Sequence, residues 1–257
     1  MPTESRSRAL AQRLTDFAAV LFDLDGVLTP TAEVHEAAWR ETFNAFLARH
    51  ATGRAARPFE HVDYRLYVDG MPRATGVRTF LKSRGLSLPE GGPGDLPGKP
   101  TVYGLGNAKD AVFKQHLAAG DVEAFPGVEP LVRWLRARGT RTAVVSSSHN
   151  AIPVLESAGI DDLFDVIVDG NVADRDGLFG KPAPDSYLDA ARLLGLPAAK
   201  CVVIEDAVAG VQAGRAGAFG LVIGVDRTGD GKRLIEQGAD IVVREMTELL
   251  PDAPAEA

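Results

Sequence analysis

The sequence predicts an α/β fold: a doubly wound, mostly parallel sheet core with an inserted α-helical domain. Short apolar runs alternate with helical patterns along most of the chain, which is the pattern of successive βαβ units. The runs are rich in Val and Ile and do not alternate polar with apolar residues, as strands buried on both faces require. Between residues 32 and 122 this rhythm stops, and helical patterns follow one another with no convincing strand between them.

In chain order, the first strand is expected over 18–22, where Asp23 ends the apolar run. Residues 34–49, 72–84 and 107–118 read as helices of the inserted domain. The Gly- and Pro-rich stretch 85–106 reads as a loop of the length that marks either function or poor order. The core then continues as helix 128–138, strand 142–145, helix 151–158, strand 166–168, helix 185–194, strand 201–204, helix 208–216, strand 220–223, helix 232–237 and strand 240–243. Gly139, Gly159, Gly195 and Gly217 follow four of these helices, where C-terminal caps are expected. Residues 251–257 read as a frayed tail. The division is therefore a core of residues 1–31 and 123–257 and an insert of residues 32–122, with the core Rossmann-like.

Composition narrows the function classes. The 257 residues are 45% hydrophobic and 25% charged, the balance of an ordinary globular protein. No apolar run approaches the ~20 residues of a membrane-spanning helix, and the N-terminus lacks the apolar stretch of a secretory signal. A single cysteine, Cys201, excludes an intramolecular disulfide and a multi-cysteine metal cluster, and fits a reducing cytoplasm. A net charge of −7 argues against a nucleic-acid-coating protein, so any positive charge that binds a phosphorylated substrate must be local.

In open parallel sheets, ligands bind beyond the carboxyl ends of the strands. The first strand runs into Asp23-Leu24-Asp25-Gly26, the next core strand into Ser146-Ser147-Ser148, and the strand 201–204 into Glu205-Asp206. Gly180-Lys181-Pro182-Ala183-Pro184-Asp185 lies between them in sequence. Taken singly, each has an ordinary explanation: a turn, an N-cap, helix-start charge, a solvated lysine. Together they are hard to explain that way. Carboxylates gathered in a partly dry crevice repel one another, and a hard divalent cation such as Mg²⁺, bound by oxygen ligands, relieves that conflict. A lysine and a hydroxyl then complete a pocket for a tetrahedral anion. The chemistry indicated is phosphoryl transfer, in which positioning and charge neutralisation dominate.

These four segments, in this order over nearly the whole chain, resemble the four motifs of the haloacid dehalogenase superfamily, and the insert falls where that superfamily carries a helical cap. The resemblance implies that Asp23 is a nucleophile forming an aspartyl-phosphate and that Asp25 is the general acid/base. It implies that Ser146 and Lys181 hold the phosphoryl oxygens, and that Asp23, the Asp25 backbone carbonyl, Glu205 and Asp206 form a Mg²⁺ site. Within the superfamily the cap resembles that of β-phosphoglucomutase-like proteins. His35 and Trp39 match the histidine and tryptophan of the first cap helix. The segment Tyr67-Val68-Asp69-Gly70-Met71-Pro72-Arg73 matches a phosphate-gripping arginine segment, and Lys109 matches the cap lysine. Ser147, Ser148, His149 and Asn150 complete the substrate-binding set that the resemblance implies. Three positions depart from the pattern: Pro30 replaces a common Asp, Gly76 stands where a serine can occur, and His149 occupies a lysine position.

The implied activity is interconversion of β-glucose 1-phosphate and glucose 6-phosphate through the 1,6-bisphosphate. The alternative is a sugar-phosphate phosphatase using the same residues, in which water takes the phosphoryl group. A phospho-aspartate signalling receiver is opposed by the cap insert and by Asp25, and a catalytically silent binding protein by the presence of both aspartates. The expected partner is a small sugar phosphate, with neither nucleic acid nor membrane, and the expected state is monomeric.

Overall fold

The computed structural model describes residues 2–120 and 122–251, so the expected tail lies outside it from residue 252 onward. Six strands, β1 (Ala19–Phe22), β2 (Arg141–Val145), β3 (Val166–Val168), β4 (Cys201–Glu205), β5 (Leu221–Val225) and β6 (Ile241–Val243), form one sheet in the order 3-2-1-4-5-6. Every pairing is parallel. This is the doubly wound arrangement expected from the sequence, and its order reverses beside β1, the switch point at which such sheets bind ligands.

The register places the chemistry. Phe22 lies opposite Val144 on one side and Ile204 on the other. Asp23, Ser146 and Glu205 therefore emerge together at the carboxyl edge. The Asp23 amide still donates to Ile204 O at 2.9 Å, and the Ser146 amide to Val168 O at 3.0 Å. Both groups thus stand on the last rung of the ladder rather than on free loops.

The helices follow as α1 (Pro2–Thr15), α2 (Thr31–His50), α3 (His61–Tyr67), α4 (Arg73–Ser83), α5 (Val102–Ala118), α6 (Val128–Arg136), α7 (Ala151–Ser157), α8 (Gly170–Asp176), α9 (Asp185–Leu193), α10 (Val208–Ala216) and α11 (Gly231–Glu236). Residues Thr31–Val122 form one compact unit, and the segments before and after them form the other. In the sheet unit, α9 packs on β1, β2 and β3, and α10 packs on β4 and β5. Between them Leu21, Val145, Tyr187, Val203, Val211 and Phe219 share one buried apolar cluster; each such aliphatic side chain contributes about 1.5–3 kcal/mol by its burial. The helical unit has its own core, built on Trp39, Phe43, Phe59, Phe80 and Leu105.

Several elements differ from the sequence expectation. Helices α1, α3 and α8 have no counterpart in it. The helix α1 is held by Leu10, Ala11 and Leu14, all buried. Helix α5 starts at Val102 rather than at 107, because the Thr101 side chain caps it by accepting from the Gly104 amide at 2.9 Å. Gly104 is tolerated there because a Cβ would lie 2.4 Å from Lys99 O. The loop before α5 is ordered by Asp95, which accepts from Lys99 Nζ at 2.5 Å, Thr101 Oγ1 at 2.6 Å and the Gly92 amide at 3.2 Å. Gly139, Gly159 and Gly195 take positive φ after their helices, but Gly217 does not; φ is +54° at Ala218 instead. Gly217 is needed for closeness, since a Cβ there would lie 2.6 Å from the Phe219 ring.

Candidate active site

The sheet unit gathers the strand-end groups into one hydrogen-bonded cluster. The Lys181 ammonium, fully enclosed, donates to Asp23 Oδ1, to Glu205 Oε1 at 2.5 Å and to the carbonyl of Val145 at 3.1 Å, which uses all three of its protons. The Tyr187 hydroxyl donates to the same Glu205 oxygen at 2.9 Å, and the Ala207 amide donates to the other at 3.1 Å. Glu205 has no exposed surface. A buried carboxylate is tolerable only with such a complete set of donors.

The electrostatics follow from this crowding. Burial, reinforced by the carboxylates of Glu205 and Asp25, pushes the Asp23 carboxyl well above its ordinary range, although Lys181 pulls the other way. Burial works against the Lys181 ammonium, yet Asp23 and Glu205 hold its pKa above the usual lysine value. Burial beside Glu205 also raises the Tyr187 phenol, keeping it a donor. Asp23, Glu205 and Asp206 each offer a carboxylate oxygen, all within 4.8 Å of one another. This is a hard-oxygen set with an excess of negative charge, and it fits a hard divalent cation.

Two glycines make the geometry possible. A Cβ on Gly26, whose φ is +88°, would fall 1.9 Å from Asp206 Oδ2. A Cβ on Gly210, in α10, would fall 1.6 Å from Glu205 Oε1. The helix therefore approaches the buried carboxylate through a position that carries no side chain.

Of the other expected residues in this unit, Ser146 donates to Asp25 Oδ2 at 3.4 Å and accepts from the Ser148 amide at 3.1 Å. Ser148 Oγ accepts from the Asn150 amide at 3.2 Å. Ser146 and Ser148 thus shape their own turn instead of capping α7, whose N-cap position is Asn150, with no side-chain cap bond to the helix. Ser147 lies in the same turn, where its carbonyl would stand 3.0 Å, and the His149 ring nitrogen 2.8 Å, from a Cβ added at Gly170. His149 turns to Asp174 Oδ2 at 2.9 Å.

The helical unit holds a second cluster. Lys109 Nζ lies 2.5 Å from His35 Nδ1 and over the rings of Phe113 and Trp39. The His35 ring stacks on Phe113 with centroids 4.1 Å apart. Trp39 belongs to the core of the unit, stacked on Phe43 at 4.8 Å. Arg73 opens α4 and pairs with Asp110 at 2.9 Å; its stem lies along α5, where a Cβ on Gly106 would come within 3.1 Å. Gly70 and Met71 form the turn before it, with Gly70 at a φ of +68°. Gly76, the serine position, is closed by Val68, whose Cγ1 would lie 3.0 Å from an added Cβ.

Tyr187 and Gly210 do not stand out in the sequence. Nothing in the helical pattern around either marks it, because the role of each depends on Glu205, which lies on a different element.

No helix among the described residues is long and apolar enough to cross a membrane. Comparison with known proteins agrees with the geometry. The family model described as haloacid dehalogenase-like hydrolase matches residues 17–217. The chain is 45% identical over 253 residues to the protein named Beta-phosphoglucomutase of Mycobacterium bovis, covering 96% of each. It is 32% identical over 241 residues to the Beta-phosphoglucomutase of Bacillus subtilis, covering 90% of this chain and 91% of that one. Among solved structures, the beta-phosphoglucomutase of Clostridium difficile shares the fold at a TM-score of 0.74, with 24% identity over 91% of this chain and 93% of that one. With its strand-end carboxylates, its buried lysine and its helical insert, the chain belongs to the haloacid dehalogenase-like hydrolase family.

Proposed function

We propose that the chain is a Mg²⁺-dependent β-phosphoglucomutase that interconverts β-glucose 1-phosphate and glucose 6-phosphate through the 1,6-bisphosphate. The observation that carries this reading is 45% identity, over 96% of both chains, to a protein of that name.

In this mechanism an oxygen of Asp23 attacks the substrate phosphorus, the bond from phosphorus to the sugar oxygen breaks, and Asp25 gives that oxygen a proton. In the other direction Asp25 takes the proton of the free sugar hydroxyl, whose oxygen then receives the phosphoryl group from Asp23. The bisphosphate reorients between the two transfers. Lys181 stays an ammonium: the N–H now directed at Asp23 Oδ1 donates instead to a phosphoryl oxygen once Asp23 is phosphorylated, and Ser146 donates to another. Glu205, whose oxygens already accept from Lys181, Tyr187 and Ala207, keeps the ammonium aimed. A Mg²⁺ would be held by Asp23, the Asp25 carbonyl and Asp206, with Glu205 completing the acidic set, and would supply charge neutralisation at the reacting phosphate. Arg73 binds the phosphate that is not reacting, and His35 and Lys109 with Trp39 shape the sugar side of substrate binding.

The test is Asp23→Asn. An amide cannot form the acyl-phosphate, so formation of glucose 6-phosphate should fall by several orders of magnitude with the fold retained by circular dichroism. Turnover within about tenfold of the unmodified protein would remove Asp23 from the mechanism.

A further inference from the structure

One side chain outside all four motifs touches the segment that carries Asp25. Strand β5 ends at Val225, and the loop after it is fixed by Asp226. Its Oδ1 accepts from the amides of Thr228, Gly229 and Asp230 at 3.2, 2.7 and 2.7 Å, and its own amide donates to Val243 O at 2.7 Å. From this rigid loop Arg227 sends Nε to the carbonyl of Gly26 at 2.9 Å and Nη1 to the carbonyl of Arg244 at 3.2 Å. Its guanidinium carbon lies 3.8 Å from the centre of the Phe125 ring, a cation–π stack.

Gly26 immediately follows Asp25. Its amide donates to Thr29 O at 2.8 Å, Asp25 and Thr29 form a β-bridge, and the Phe125 amide donates to Leu28 O at 2.9 Å. Asp206 closes on the other side of Gly26, so tightly that no Cβ would fit. Gly26, the residue after Asp25, is thus gripped between a carboxylate of the candidate metal site and a stacked guanidinium. A buried Arg227 Nη2 has no hydrogen-bond partner among the described residues.

We infer that Arg227 is a positioning residue for Asp25: by fixing the carbonyl of Gly26 it orients the carboxyl that exchanges a proton with the sugar oxygen. The inference rests on the acid/base reading of Asp25. Arg227 touches no reacting atom and acts only through the backbone of the Asp25-Gly26 turn.

The leaving group separates this role from a structural one. A sugar oxygen needs a proton as its bond to phosphorus breaks, whereas p-nitrophenolate leaves as a stable anion and does not. The experiment is single-turnover phosphorylation of Asp23 from β-glucose 1-phosphate and from p-nitrophenyl phosphate, in Asp25→Asn, Arg227→Met and Arg227→Lys. Arg227→Met should lose roughly 10- to 100-fold with the sugar phosphate, the scale of one charge-assisted hydrogen bond, and less than about threefold with the nitrophenyl ester. Arg227→Lys, which keeps a donor and loses the planar stack, should show a smaller loss of the same selectivity. Should Arg227→Met not fold, Arg227→Lys alone carries the comparison.

If the Asp25→Asn loss is selective for the sugar phosphate while the Arg227 variants lose equally with both donors, or not at all, the inference is overturned and Arg227 serves only the fold. If the Asp25→Asn loss is itself unselective, the acid/base reading fails and takes the inference with it.

Discussion

Replacing Gly210 by alanine tests the buried seat of Glu205 with a single methyl group. The new Cβ would stand 1.6 Å from Glu205 Oε1 and 1.9 Å from its carboxyl carbon. Ordinary contact is about 3.5 Å, so either the carboxylate or α10 must move by about 2 Å. Moving the carboxylate breaks its bonds from Lys181 at 2.5 Å and Tyr187 at 2.9 Å, each about 1.5–3 kcal/mol because the acceptor is charged. Moving α10 opens the apolar cluster that Val211 shares with Val203. Against this, alanine is favoured over glycine in a helix by about 1 kcal/mol. The net expectation is a loss of about 2–5 kcal/mol, which for a chain of this size lowers Tm by roughly 5–15 °C. Turnover should fall at least about tenfold, since Lys181 loses a partner that aims it. Thermal denaturation followed by circular dichroism, with the rate of glucose 6-phosphate formation, reads both. A Tm within about 1 °C and a rate within about twofold of the unmodified protein would refute the claim that α10 packs bare against Glu205.

Arg73→Ala should lower kcat/KM for the mutase reaction by roughly 30- to 1000-fold, the loss of about 2–4 kcal/mol from a charge-assisted contact. Hydrolysis of p-nitrophenyl phosphate, which has no second phosphate to hold, should fall far less; equal losses would assign Arg73 to the fold. In the loop before α5, bonds from Lys99 and Thr101 lower the Asp95 carboxyl from 3.8 to about 2. A lowered folded-state pKa means that this contribution to loop order is present above pH 3.8 and is lost as pH falls through about 2. Amide exchange over residues 92–101 should therefore be faster in Asp95→Asn than in the unmodified protein near neutrality, and the two should converge at the acid end.

Legibility in the sequence divides by the range of the interaction. The strands show themselves because burial on both faces removes polar alternation, and each of β1 to β6 carries a run of at least three apolar residues, mostly Val, Ile, Leu, Phe and Ala. The carboxylates stand out because parallel strands deliver the residues at their ends to one edge, so their order along the chain already implies proximity, while Lys181 stands out through the Gly-Lys-Pro segment that lies between them in sequence. Tyr187, Gly210 and Arg227 are silent because each acts on a group carried by another element. Asn150 takes the cap position because the serines bond within their own turn. Helix α3 lies in the stretch between two expected helices, and its capping box at Glu60 and Asp63 is a short-range signal that the apolar pattern alone does not carry. Gly217 carries two meanings, cap and close approach, and the Phe219 ring decides between them.

In a mutase the phosphoryl group on Asp23 goes to a sugar hydroxyl, and in a phosphatase it goes to water. The direct measurement is incubation of the purified protein with β-glucose 1-phosphate and Mg²⁺, with a trace of the 1,6-bisphosphate to phosphorylate Asp23, while glucose 6-phosphate and orthophosphate are monitored together. Glucose 6-phosphate should accumulate to equilibrium with orthophosphate a minor product, and excess EDTA should stop both. Orthophosphate rising in step with the loss of β-glucose 1-phosphate, with little glucose 6-phosphate, would contradict the account and make the chain a sugar-phosphate phosphatase.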